Sequence, residues 1–273
     1  MTAAGPVWVD GAAYCRARLL GGDAIPRTDP GRLASFAGQS AALLGTDALL
    51  VDVGQAWQVR AADPDLAAAM AQHTRRARPL RTLLEDNGAR ALAAEALRTC
   101  AAGARLPIVA VLPSPAHWIR QAGTLAGLPD EPPDESTVDA AAMYAATALD
   151  VLDGLPAATV LIDAGPDGPA DLPDPDQYRP LLNAAAHLRL PVVIRTDGAP
   201  CWPHGAVDGV SAWIGAAPPP AGADGPWSLA QDLSAALPPS TGGAPRLVRI
   251  PPTADPDTVT ATIRSWDRLA TAH

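Results

Sequence analysis

Asp163, Asp197 and His117 are the side chains of this sequence best suited to moving a proton, and Arg195 is the one best suited to holding an anion. Asp163 ends the apolar run ATVLID, so it stands at the tip of an extended segment. There it either caps a neighbouring loop or faces a site, where it would hold an amine or act as a base. Arg195 and Asp197 are two residues apart in VVIRTD, a spacing that puts both on one side of an extended chain. They either pair with each other or set a bidentate anion clamp beside a base. His117, within PAHW, titrates in the range that acid–base catalysis uses. A plain hydrogen-bonded histidine is its other reading.

Nine further residues complete the candidate set for substrate binding: Asp52, Gln55, Trp57, Ser114, Trp118, Trp202, Trp213, Trp227 and Arg249. Most stand at or just after the end of an apolar run, and Trp227 lies in a weak one. Five of the seven tryptophans thus map to one end of the runs. Large aromatics there either plug the mouth of a barrel or wall a pocket for an apolar or cationic ligand. Cys201 and His204 are spaced like half of a metal site, whereas zinc needs three or four protein ligands. His73 with Arg75, Arg76, Arg78 and Arg81 forms a basic cluster, by default a solvated helix face. No G-x-G-x-x-G, G-x-S-x-G, H-E-x-x-H or C-x-x-C pattern occurs.

The elements that must position these residues follow from the apolar runs. Clear runs cover Ala48 to Val53, Leu106 to Leu112, Ala158 to Asp163, Leu190 to Arg195, Val210 to Gly215 and Arg246 to Ile250. Weaker ones lie at Val7 to Val9 and around Pro226 to Leu229. Continuous β-branched runs suit strands buried on both faces of a parallel sheet. Helical patterns separate them. One starts at Pro30, capped by Asp29, and reaches Leu44; another runs from Leu83 to Ala104. Ser136 is the expected cap of Val138 to Leu152, Asp176 leads into Tyr178 to Leu188, and Asp257 into Val259 to Leu269. Strand-then-helix repetition with about eight strands predicts an α/β chain folded as a (β/α)8 TIM barrel, regular or incomplete. An open doubly wound sheet is the runner-up. No composition break divides the chain, so residues 1–273 are expected to form one domain.

Composition narrows the function classes. The formal net charge is −9, which opposes nucleic-acid binding, since phosphate recognition needs a basic face. No apolar run approaches the roughly 20 residues that span a bilayer. The first twenty residues lack the basic and apolar regions of a signal peptide, so a cytoplasmic protein is expected. Three scattered cysteines form no disulfide framework. All 20 basic residues are Arg, which removes lysine Schiff-base chemistry and a lysine-bearing phosphate loop.

The order of segments resembles the barrel shared by uroporphyrinogen decarboxylase and cobalamin-independent methionine synthase, from about Asp29 to the C-terminus. LLGTDALLVDVGQAW resembles the decarboxylase segment in which a G-x-D turn enters a strand. IVAVLPSPAHWIRQAG is similar to a strand and helix of both families. TVLIDAG resembles the synthase segment whose acid binds substrate, and Asp163 matches that acid. The zinc-dependent members end a strand in H-x-C; here Arg195 and Asp197 stand at those places and Gly198 follows. The resemblance therefore implies the barrel without its zinc.

The resulting expectation is a metal-independent enzyme of specialised biosynthesis, with no cofactor. It acts on a small amino-acid-like or anionic substrate by lyase or intramolecular cyclisation chemistry. One alternative is a zinc-dependent methyl or alkyl transferase to a thiol, using Cys201 and His204. Another is a non-catalytic metabolite-binding or partner subunit, homodimeric or heteromeric.

Overall fold

The computed structural model of the chain describes residues 5–155, 158–164, 175–196, 207–219, 225–234 and 236–270. Each predicted apolar run is a strand: β1 (Val7–Asp10), β2 (Leu49–Asp52), β3 (Ile108–Pro113), β4 (Ala158–Asp163), β5 (Val192–Thr196), β6 (Ala212–Gly215), β7 (Trp227–Asp232) and β8 (Arg246–Arg249). All pair in parallel, in the order β1-β8-β7-β6-β5-β4-β3-β2. The sheet curls into a nearly closed (β/α)8 barrel.

The helices are distributed unevenly around it. Helices α1 (Ala12–Leu19) and α2 (Pro30–Leu44) separate β1 from β2. Four helices follow β2: α3 (Gly54–Arg60), α4 (Pro64–Ala71), α5 (Ala77–Leu84) and α6 (Asn87–Ala104). Then come α7 (Pro115–Leu125) and α8 (Glu135–Ala148) after β3, α9 (Arg179–His187) after β4, and α10 (Pro256–Ala270) after β8. Among the described residues no helix lies between β5 and β8. No helix is long and apolar enough to cross a membrane among the same residues.

Local chemistry sets the helix starts, and three differ from the sequence-based expectation. Asp29 caps α2 as expected, accepting from the Arg32 N–H at 3.0 Å with Pro30 at the first position. The pattern from Leu83 to Ala104 is two helices. Asp86 interrupts it because its carboxylate takes the Ala89 N–H at 2.7 Å and opens α6. Ser136 is not the cap of α8; Asp134 is, accepting from Thr137 N–H at 2.8 Å, while the Ser136 hydroxyl donates to Asp134. At α10 the capping acid is Asp255, bonded to Thr258 N–H at 2.9 Å, and Asp257 lies in the first turn.

Side-chain alternation along the strands gives the barrel two cores. Trp8, Val109, Leu161, Val193, Ile214 and Leu247 point inward and fill the barrel. Leu49, Val51, Ile108, Leu112, Ile162 and Ile194 point outward and pack under the helices. The tops of the strands, where they run into the following segments, are therefore held from both sides.

The ring is not laddered between β1 and β2. The connection entering β2 meets β1 through one backbone bond, from the Asp47 N–H to the Val7 carbonyl at 2.9 Å, and through side chains. Asp47 accepts the Val7 N–H at 2.7 Å, and Thr46 Oγ1 accepts the Val9 N–H at 3.2 Å. The Thr46 hydroxyl also bonds the Ala48 carbonyl at 2.8 Å. These bonds close the lower part of the seam and leave its upper part without a ladder.

Candidate functional site

Six strands carry a charged residue at or next to their C-terminal end, on the inward-facing register. They are Asp10 on β1, Asp52 on β2, Asp163 on β4, Arg195 on β5, Asp232 on β7 and Arg249 on β8. A strand of a parallel barrel aims its last inward side chain at the C-terminal mouth, which is where barrels carry chemistry.

Arg195 organises this ring. It is 10% exposed, and its Nε lies 3.3 Å from Asp163 Oδ1 on the adjacent strand. Its Nη1 lies 3.5 Å from Asp10 Oδ2 on β1, four places away in the eight-strand order. The guanidinium thus bridges the mouth. Arg249 pairs with Asp232 at 3.2 Å, with the Asp232 side chain 71% exposed, so this pair sits at the wet rim.

Asp52 occupies a different environment. It lines a cavity of about 250 Å³, together with Asp10, Arg27, Gln55, Asp163 and Arg195. Its side chain remains accessible through the cavity while the surrounding protein atoms crowd its carboxyl. Desolvation pushes its pKa above the ordinary value, and the nearby Asp163 charge adds to this. Hydrogen bonds from Gln55 and the charge of Arg27 act the other way. The Gln55 N–H donates to Asp52 Oδ1 at 3.2 Å. Gly54 makes that turn possible: a Cβ there would stand 2.8 Å from Pro113 Cδ and 3.3 Å from Asp52 Oδ1.

The tryptophans do not wall this mouth. Trp57 and Trp118 are fully buried in the outer core, edge to face with centroids 5.6 Å apart. Their indole N–H groups meet no hydrogen-bond acceptor among the described residues. Trp213 points outward from β6 into the same core. Trp227 begins β7, at the end of the barrel opposite the mouth, and packs against that core too. The expectation of an indole pocket fails at these four because strand alternation and helix phase turn them away from the barrel axis. Among the described residues, Trp8 is the tryptophan inside the barrel, and it was not among the sequence-based candidates.

Two polar candidates also lie elsewhere. Ser114 is 1% exposed and caps α7, its Oγ accepting from the His117 N–H at 3.2 Å. It also hydrogen-bonds the buried Tyr178, whose phenol is pushed up to about 12 by burial. His117 contacts Gln121 and opens onto an outer groove shared with Gln58, Arg120 and Asp130. The basic cluster is likewise dispersed. Arg76 binds Glu131, Arg81 binds Glu85, and His73 bonds Thr82.

Asp197, Cys201, Trp202 and His204 lie outside the described residues, as does Gly198. Among the described residues no group of three His, Cys, Asp or Glu side chains is arranged to hold a metal ion. Asp10 and Arg27 line the cavity and Asp232 stands at the rim, and none of the three was among the sequence-based candidates. The signal for two of them was present, since VWVD and WSLAQD end in Asp just as LLVD and ATVLID do. Arg27 carried no such signal: it lies in the connection between α1 and α2. No family model matches the chain, and no curated protein matches it.

Proposed function

We propose that the chain is a barrel enzyme that moves a proton on a small amino-acid-like substrate bound at the C-terminal mouth, in a lyase or cyclisation reaction. The observation that carries this reading is Asp52, a carboxyl with a raised pKa that lines a cavity beside a second carboxyl, Asp163. Two acids in unequal surroundings divide naturally into one that carries the proton and one that stays ionised.

In this reading Asp52 is the general base and later the acid. Asp163 and Asp10, held by Arg195, face the substrate ammonium. Arg27, at the edge of the same cavity, faces its carboxylate. Arg195 acts as a positioning residue, because its guanidinium is already engaged with two carboxylates. Gln55 orients the Asp52 carboxyl through its N–H. Proton abstraction at carbon needs no more than these groups.

The test is deuterium exchange. The protein is incubated in deuterated water with a panel of amino acids, and carbon-bound exchange is followed by proton NMR. Exchange in at least one amino acid, lost in Asp52→Asn and retained in Arg249→Ala, is the expected result. Exchange that persists in Asp52→Asn, or its absence across the panel, overturns the proposal.

A further inference from the structure

The cavity below Asp52 does not stop at the mouth. Its lining continues along β2 on both faces, taking in inward Leu50 and outward Leu49 and Val51. Only a gap in the barrel wall allows one cavity to touch both faces of a strand. That gap is the unladdered upper seam between β1 and β2, bordered by Val9 and Gly11 on one side and Val51 to Val53 on the other.

Beyond the seam the cavity enters the space between α2 and α6. The residues that face it there alternate small side chains, Ala37, Ser40 and Ala41 on α2 and Ala93 and Ala96 on α6, with larger apolar ones such as Phe36, Leu44 and Leu97. Small side chains at a helix–helix contact leave room that larger ones would fill. The far end is thus predominantly apolar, while the near end carries Asp10, Arg27, Asp52, Asp163 and Arg195.

We infer that the ligand is an amine-bearing molecule with an unbranched apolar tail, and that the tail threads the β1/β2 seam into the layer between α2 and α6. The inference deepens the proposed function and rests on it for the head group alone. Charge complementarity selects the head, because the near end holds three carboxylates against two guanidinium groups. Apolar walls select the tail. An unbranched chain is required because the passage lies between two strands of the barrel wall.

The test uses straight-chain α-amino acids of increasing length, from alanine through norvaline and norleucine to α-aminooctanoate, titrated calorimetrically. Affinity is expected to rise about fourfold per added methylene until the cavity is full, with an increasingly negative heat-capacity change. Ala96→Phe is expected to abolish the gain for the longer members and leave norvaline unchanged. Ala37→Leu serves the same purpose from the other wall should Ala96→Phe fail to fold. Affinity that is flat with length, or a length dependence untouched in both variants, overturns the inference and leaves the head-group reading standing. If no amino acid binds, the head-group reading falls, and the tail is read with straight-chain alcohols, which need no charged partner. Length-dependent binding of alcohols that disappears in Ala96→Phe supports the seam passage; its absence overturns it.

Discussion

Arg195 and Asp163 occupy paired register positions on neighbouring strands, and their side chains meet 3.3 Å apart inside the barrel mouth. The same guanidinium reaches Asp10 across the barrel. A single cation therefore ties three strands, β1, β4 and β5, at the level where the site begins. Replacing Arg195 by Met leaves two partly buried carboxylates without it. The expected loss is about 1.5–3 kcal/mol in urea unfolding, since both carboxylates keep some access to water. Arg249→Ala, at the exposed rim pair, should lose about 1 kcal/mol or less. Equal losses for the two variants would show that Arg195 does not organise the mouth.

Asp52 makes stability depend on pH with a definite sign. Its folded pKa is raised, so the folded state holds the proton more tightly than the unfolded chain. The associated stability is fully present below the ordinary carboxylate pKa and is lost as pH rises through the folded value. Asp52→Asn removes that loss. The variant should gain in Tm relative to the parent as pH rises above the ordinary carboxylate range. A Tm difference that is constant with pH would mean that Asp52 is as well solvated as a surface acid.

Trp57 and Trp118 are core residues, and their variants should behave accordingly. Trp118→Ala is expected to cost about 3–5 kcal/mol. The edge-to-face pair should show a coupling of about 0.5–1.5 kcal/mol in a double-mutant cycle with Trp57→Phe. Fluorescence of these two indoles should resist acrylamide quenching and ignore ligands that bind at the mouth. A strong response to such ligands would place them in the site after all.

Ser114 couples the start of α7 to Tyr178. Ser114→Ala removes a helix cap and a buried hydrogen bond, for a loss of about 1–2 kcal/mol. Spectrophotometric titration should find the Tyr178 phenol ionising only near 12 or on unfolding. Ionisation of every tyrosine near pH 10, the ordinary phenol value, would contradict its burial.

Much of the barrel was legible as runs of β-branched residues, because a strand buried on both faces has no choice but to be apolar throughout. The run LPVVIR shows both the reach and the limit of that reading. It placed β5 and brought Arg195 to a strand end, but the partner seen there is Asp163 on β4, contributed from another segment. Helix boundaries were less legible. Asp86 and Asp134 act as caps only because their backbone is extended at those points. Ser136 looks equally able to cap in a string of letters.

The sequence by itself determined that the chain alternates strands and helices, that several of its apolar runs end in Asp or Arg, and that lysine plays no part in its chemistry. Only the tertiary structure decided which of those charges meet. Barrel closure sets the angular order of the strands, and that order brings Asp10 from one end of the chain to Arg195, 185 positions later. It also decided that Trp57 and Trp118 face the helices, since the inward and outward sides of a wall exist only once the sheet has curled. The open seam between β1 and β2 belongs to the same class of fact. A missing ladder is a relation between two strands, and neither strand's own residues record it.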